Sequence, residues 1–386
     1  MMDNKTKIMI LGADGYLGVP LTVDLAQKGY NLTLVDSYVK RKLASEFSRQ
    51  PLNRINKIET RLKVLKKINK NIIFKRIDCK DSIKFDNLFK KIKPDIVVHF
   101  AEIPSAPYSM LGSIHGWNTL NNNIKSTYNL ISAVKKHNSN CHIIKLGTMG
   151  EYGTPNIDIE EGWLNVKHNK RREKFLYPRQ GSSLYHMSKI MDTDLLWFNV
   201  RTYDLRVTDL MQGPVYGIYT SDFSREHKLD TSFAYDDIFG TVLNRFIVQA
   251  IAGIPLTVYG SGSQIRGYIN LKDTLACINL AIQNPPGAGK LSIYNQFTEQ
   301  FSVNELSKLV MKALKKINID VKINHLKNPR VESEKHYYNA DNKGMKKLGL
   351  KPTLLTDTTI HEIAEYVIKY QKRINKKIIQ PKINWK

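Results

Sequence analysis

The sequence predicts an α/β protein, a doubly wound parallel sheet with a smaller, interleaved C-terminal substrate lobe. Three observations carry this reading. Short apolar runs alternate with helix-like segments between Ile8 and Leu146, a glycine cluster follows the first run, and the pattern turns irregular after about residue 210.

The runs Ile8–Leu11, Leu32–Val35, Ile72–Phe74, Ile96–Phe100 and Ile143–Leu146 are apolar almost throughout, as strands covered on both faces must be. Helix-length segments between successive strands favour parallel neighbours joined by crossovers. From Arg54 to Arg76, Ile55, Ile58, Leu62, Val64, Leu65 and Ile68 recur at helical intervals among lysines, which reads as a solvated amphipathic helix. A second helix is expected over Ser183–Phe198. Further helices are expected over Val303–Ile317 and Leu355–Tyr370, after turn signals at Gly213-Pro214, Gly260–Gly262 and Pro285-Pro286. Residues 1–210 are thus expected to form the sheet domain with the catalytic helix. Residues 211–386 would form mainly the substrate lobe, with segments returning to the sheet.

Composition excludes several classes. The 59 Lys and Arg against 35 Asp and Glu leave a net charge of +24. The lysines are spread along the chain, so a phosphate-tracking nucleic-acid stripe is not expected; a basic surface favours anionic substrates instead. Cys79, Cys141 and Cys277 lie far apart and form no metal-ligand spacing, which implies reduced, buried thiols and no metal site. No apolar stretch is long enough to span a bilayer, and the first strand begins close to Met1. A soluble, cytoplasmic protein is expected.

The cluster Gly12-Ala-Asp14-Gly15-Tyr16-Leu17-Gly18 falls where a strand turns into a helix. Glycines there permit a tight turn and a close backbone approach to a pyrophosphate, held by helix N-terminal amides. This is the Rossmann-type arrangement. Asp36 ends the second run, where a carboxylate can take both adenosine ribose hydroxyls and repel a 2′-phosphate, which favours NAD. Lys40 and Arg41 follow closely and could take that phosphate instead. Asp78 and Cys79 past the third strand, Ala101 past the fourth, Asn123 on a helix, and Gln212 complete the expected cofactor contacts.

Tyr185 and Lys189 are four apart on the expected helix and share a face. An ammonium beside a phenol favours the phenolate, a base usable near neutral pH. Thr148, just past the fifth strand at the carboxyl edge of the sheet, supplies a hydroxyl to orient a substrate alcohol. These elements, in this order, match an extended short-chain dehydrogenase/reductase.

Longer runs narrow the resemblance. Ser105–Met110, Lys145–Gly162, Tyr259–Tyr268, Tyr294–Leu306, Asn328–Glu332 and His336–Ala340 are similar to the UDP-sulfoquinovose synthase family, relatives of the nucleotide-sugar epimerases and dehydratases. The resemblance implies UDP-glucose and sulfite, or a sulfite donor, as substrates, with NAD borrowed and returned. It implies Tyr185 as base at sugar carbon 4, then loss of water across carbons 5 and 6 and addition of sulfite at carbon 6. It nominates Gln212, Asn244, Arg245, Thr257, Tyr259, Gln264, Arg266, Arg330 and Glu332, with Thr148, for substrate binding. A homodimer is expected by analogy with the fold.

Sugar dehydratases continue past the Thr148 position with an Asp-Glu pair, whereas this chain has Met149 and Gly150, then Glu151. Glu151 and His186 are therefore the candidate proton-transfer groups. Plant-type relatives carry Gln-Arg where this chain has Ile103-Pro104, so the sulfite charge needs another holder: Arg179, Lys145 or His186. The alternatives are a UDP-sugar 4-epimerase or 4,6-dehydratase, of which Met149-Gly150 argues against the dehydratase, and a non-catalytic NAD-sensing protein, against which Thr148, Tyr185 and Lys189 argue.

Overall fold

The computed structural model describes residues 6–221, 225–328 and 337–380. Its frame is a seven-stranded sheet of β1 (Lys7–Leu11), β2 (Asn31–Asp36), β3 (Ile72–Arg76), β4 (Ile96–His99), β5 (His142–Thr148), β6 (Arg206–Gln212) and β7 (Lys290–Gln296). The order is β7-β6-β5-β4-β1-β2-β3, and every pairing is parallel. All five apolar runs of the sequence lie in it.

β6 and β7 escape a hydropathy reading because they carry polar residues inward. Thr208 and Asp209 are fully buried in β6, as are Asn295 and Gln296 in β7. Two apolar clusters cover the two faces of the sheet: one gathers Ile8, Ile10, Leu32 and Ile278, the other Met9, Val97, Ile143 and Leu196. A third core, around Phe246, Val310 and Val367, belongs to the C-terminal part.

The helix expected over Arg54–Arg76 spans only Ile58–Ile68, because Ile72–Arg76 is claimed by β3. Helix Leu184–Tyr203 starts from Ser183, whose Oγ accepts the His186 N–H at 3.2 Å. That cap fixes the first turn, which carries Tyr185. An antiparallel hairpin, Trp163–His168 with Arg171–Leu176, has no counterpart in the expected elements. Parallel pairing brings the carboxyl ends of the strands to one edge, with Thr148 opposite Gln212 and Gln212 opposite Gln296. Ligands of such sheets bind along that edge.

Candidate active site

A cavity of about 930 Å³ runs along this edge, between the sheet and the C-terminal part. At its floor is the turn from β1 into helix Gly18–Gln27. Gly12 has φ +83°, and a Cβ on it would sit 2.7 Å from the Phe100 carbonyl carbon. A Cβ on Gly18 would sit 2.3 Å from the Gly12 oxygen. Gly15 is different, since a Cβ there would meet nothing closer than the Gly12 oxygen at 3.4 Å. The turn is closed against the protein and open toward the cavity, and no side chain caps the helix start. That leaves backbone N–H groups for an anion.

Asp36 lies beside this turn. Its Oδ2 accepts from the Asp14 N–H at 2.8 Å and its Oδ1 from the Tyr38 N–H at 2.7 Å. Burial, then the charge of Asp14, pushes it up to about 6. Glycine turn, open helix end and strand-end carboxylate fit a dinucleotide, with Asp36 placed to take the ribose hydroxyls. Asp14 lines the cavity, but its carboxylate is held internally by Arg41 Nη2 at 2.6 Å and by the buried Arg61 Nη1 at 2.6 Å. Arg41 is therefore committed to Asp14, and it also lies over the Tyr38 ring at 5.0 Å. Tyr16, whose hydroxyl donates to the Gly217 carbonyl at 2.5 Å, and Leu17, Asp78, Cys79 and Ala101 all line the cavity.

One cofactor residue shifts by a single position. Asn123 is fully buried, accepting from the Ile103 N–H at 2.8 Å and donating to Ser188 Oγ at 2.9 Å. It braces the helix pair, and its neighbour Asn122 lines the cavity instead. One residue along a helix turns a side chain by about 100°, enough to exchange the two roles.

Tyr185, His186, Thr148 and Met149 meet at the cavity wall. Thr148 Oγ1 accepts the Gly150 N–H at 3.2 Å, and its own N–H donates to Glu151 Oε1 at 3.2 Å. A Cβ on Gly150 would sit 2.4 Å from His186 Nε2, so the imidazole occupies the space that the second acid of the dehydratase pair would need. His186 Nδ1 is 3.2 Å from Ser182 Oγ. Burial, then the charges of Glu102 and Glu151, raises the Tyr185 phenol above its ordinary value. The Lys189 ammonium pairs with the carboxylate of Glu102 and donates to the Leu146 carbonyl.

Glu151 does not face the cavity. It is wholly buried with Lys145 at 3.3 Å, Thr193 at 3.2 Å and Arg179 at 3.8 Å, and burial raises its carboxyl despite Lys145. Lys145 is equally buried, with Asp209 at 3.3 Å. Burial alone would lower it, but Asp209 and Glu151 outweigh that and raise it. Arg179 is paired with Asp194 at 3.1 Å. Of the three candidate holders of the sulfite charge, only His186 lines the cavity.

Gln212 lines the cavity beside its strand partner Thr148, and Arg245, Thr257, Tyr259, Gln264 and Arg266 line it from the C-terminal part. Arg245 Nη1 donates to the Tyr259 hydroxyl at 2.9 Å, and Gln249 holds Thr257 through both its N–H and its hydroxyl. Among the described residues the buried Gln264 Oε1 has no hydrogen-bond partner, as an acceptor facing a ligand N–H would. Asn244 sits behind the wall, 3.5 Å from the Gly217 N–H. Arg330 and Glu332 lie outside the described residues. Sequence reasoning missed Glu102 and Tyr338, which both line the cavity. An acid immediately past a buried strand end, as in His99-Phe-Ala-Glu102, was the available signal.

The family model for the NAD dependent epimerase/dehydratase family matches residues 8–295, and the chain belongs to that family. Two relatives resolve the branch. The chain is 42% identical to the chloroplastic UDP-sulfoquinovose synthase of Spinacia oleracea, over 99% of this chain and 80% of that one. It is 39% identical to the UDP-sulfoquinovose synthase of Sulfolobus acidocaldarius, over 98% of both. It is a member of the UDP-sulfoquinovose synthase family. A UDP-glucose 4-epimerase from Bifidobacterium longum, solved with NAD+ and UDP, shares the fold at TM-score 0.69 and 21% identity, over 94% of this chain and 98% of that one.

Proposed function

We propose that this chain joins UDP-glucose and sulfite, or sulfite from a donor, to give UDP-sulfoquinovose and water with no net redox change. The observation that carries the reading beyond its relatives is the replacement of an acid at residue 150 by glycine, with the His186 ring in the space. A dehydratase-type acid pair has no room there.

When bound, NAD supplies the transient acceptor and donor of one hydride at sugar carbon 4. Gly12, Gly15, Gly18 and Asp36 would hold it. Tyr185 takes the carbon 4 hydroxyl proton, and Thr148 orients that hydroxyl. The ketone so formed acidifies the carbon 5 proton, and the carbon 6 hydroxyl leaves as water. Sulfite adds at carbon 6 of the conjugated alkene as a proton returns to carbon 5, and carbon 4 is reduced again while its oxygen takes back the Tyr185 proton. His186 is the cavity-lining group that moves these protons, since Glu151 stands behind the wall. Arg266, Arg245 and Gln264 bind the UDP portion, with guanidinium groups suited to phosphate oxygens.

With proline at 104, His186 and its neighbours Ser182 and Gln180 receive the sulfur donor. Steady-state turnover with free sulfite tests this. Saturating product formation supports free sulfite as donor, whereas hydride cycling on UDP-glucose without sulfonated product at any sulfite concentration would reject it.

The proposal includes a cytoplasmic homodimer. Among the described residues no helix is long and apolar enough to cross a membrane. Leu184, Met191 and Phe198 recur every seven residues on one helix beside Ile114, Trp117 and Tyr128 on its neighbour, all exposed. Such a stripe across two packed helices suits a second copy.

A further inference from the structure

The catalytic helix stands on a buried charged cluster that the proposed chemistry leaves partly unused. Lys189 and Asp192 enter it from the helix, His99 from the end of β4 and Glu102 from three residues past it, Lys145 from β5, Glu151 from the turn Met149–Glu151 that follows β5, and Asp209 from β6. Glu102 differs from the others because it both lines the cavity and belongs to the cluster. It is 6% exposed, and among the described residues its carboxylate oxygens have no hydrogen-bond partner beyond the ion pair with Lys189; the His99 ring is 4.0 Å away. His99 is held neutral by burial, down to about 4, so it offers Glu102 no charge.

We propose that Glu102 is a positioning residue of the catalytic centre, anchoring the Lys189 ammonium and setting how much of that charge is left to favour the Tyr185 phenolate. The inference rests on the functional reading above, in which Tyr185 is the base. Two negative groups then compete for one ammonium. Glu102 fixes where Lys189 points but, as a nearby anion, also opposes ionisation of the phenol, and the buried Glu151 and Asp192 add to that opposition. Lys145, the other ammonium in the cluster, is engaged by Asp209 and Glu151 and still acts in the opposite sense, lowering the Tyr185 phenol.

Glu102→Gln keeps the shape and removes the charge. Tyr185 ionisation is read directly by ultraviolet difference titration, subtracting the same protein carrying Tyr185→Phe, with and without NAD. In Glu102→Gln, Tyr185 is expected to ionise about one pH unit lower, with the acid limb of the UDP-glucose oxidation profile moving by the same amount. Glu102→Asp, which keeps the charge at a longer reach, is expected to give an intermediate shift. An unmoved Tyr185 titration in Glu102→Gln overturns the proposal, even if activity falls. Where that variant does not fold, an unmoved titration in Glu102→Asp overturns it equally. Absence of product from the unaltered enzyme with UDP-glucose and sulfite would overturn the functional reading alone, since the titration still decides the role of Glu102.

Discussion

The imidazole of His186 and the missing side chain of Gly150 occupy one another's space: a Cβ at residue 150 would lie 2.4 Å from Nε2 and 2.6 Å from Cδ2. The ring is held from the other side by Ser182 Oγ, 3.2 Å from Nδ1. Even one methyl group must therefore displace the ring from the cavity wall. Gly150→Ala is expected to lower formation of sulfonated product by roughly 10–100-fold, as a misplacement of about 1 Å at a reacting centre does. Oxidation of UDP-glucose should fall much less. Single-turnover absorbance at the reduced cofactor band, beside product analysis, separates the two.

Tyr185→Phe removes the base without disturbing the Ser183 cap, which joins Ser183 Oγ to the His186 backbone N–H. Turnover should fall by about 10²–10⁴-fold, with NAD content per chain unchanged. Quantifying bound dinucleotide alongside the rate checks both halves.

Much of this was legible in the sequence. The five apolar runs became β1 to β5, and Gly12, Gly18 and Asp36 stand where a strand-turn-helix reading puts them. Illegible features share a cause: polar side chains satisfied only in three dimensions. Asp209 sits in a strand because Lys145 and Thr193 meet it there. Glu151 reads in the sequence as an acid at the site and is a buried partner of Lys145, while Glu102, three residues past a strand end, lines the cavity. Which of Asn122 and Asn123 faces a ligand depends on helix phase, which a polar run of asparagines conceals.

Asp36 gives NAD binding a pH dependence. Its carboxyl is raised to about 6 when folded, against ~3.9 in an unfolded chain. Its contribution to folding stability is therefore complete below ~3.9 and is lost as pH rises through about 6. Ribose hydroxyls donate to the ionised form, so NAD binding near pH 6 should expel protons. Calorimetry in buffers of different ionisation enthalpy measures this release. Asp36→Asn should abolish it and weaken NAD by about tenfold or more, through loss of charged hydrogen bonds.

Arg61 is 1% exposed and bridges Asp14 of the glycine turn to the Asp230 carbonyl, at 2.6 and 2.5 Å. Arg61→Met breaks a buried pair and should cost about 3–5 kcal/mol. Denaturant unfolding reads the loss, and NAD affinity should fall with it because the turn loses one of its ties to the C-terminal part, leaving those of Tyr16 and Thr231.

Met191→Lys together with Trp117→Glu places charge within the exposed stripe on the two packed helices. The proposed homodimer predicts that sedimentation shows dimer for the unaltered chain and monomer for this variant.

Product analysis tests the central claim most directly. The NAD-loaded enzyme is incubated with UDP-glucose, with and without sulfite, and the nucleotide sugars are analysed by mass spectrometry. A sulfonate replacing the carbon 6 hydroxyl, only when sulfite is present and lost in Tyr185→Phe, is the predicted result. UDP-galactose, or a stable 4-keto-6-deoxy sugar formed regardless of sulfite, would contradict it.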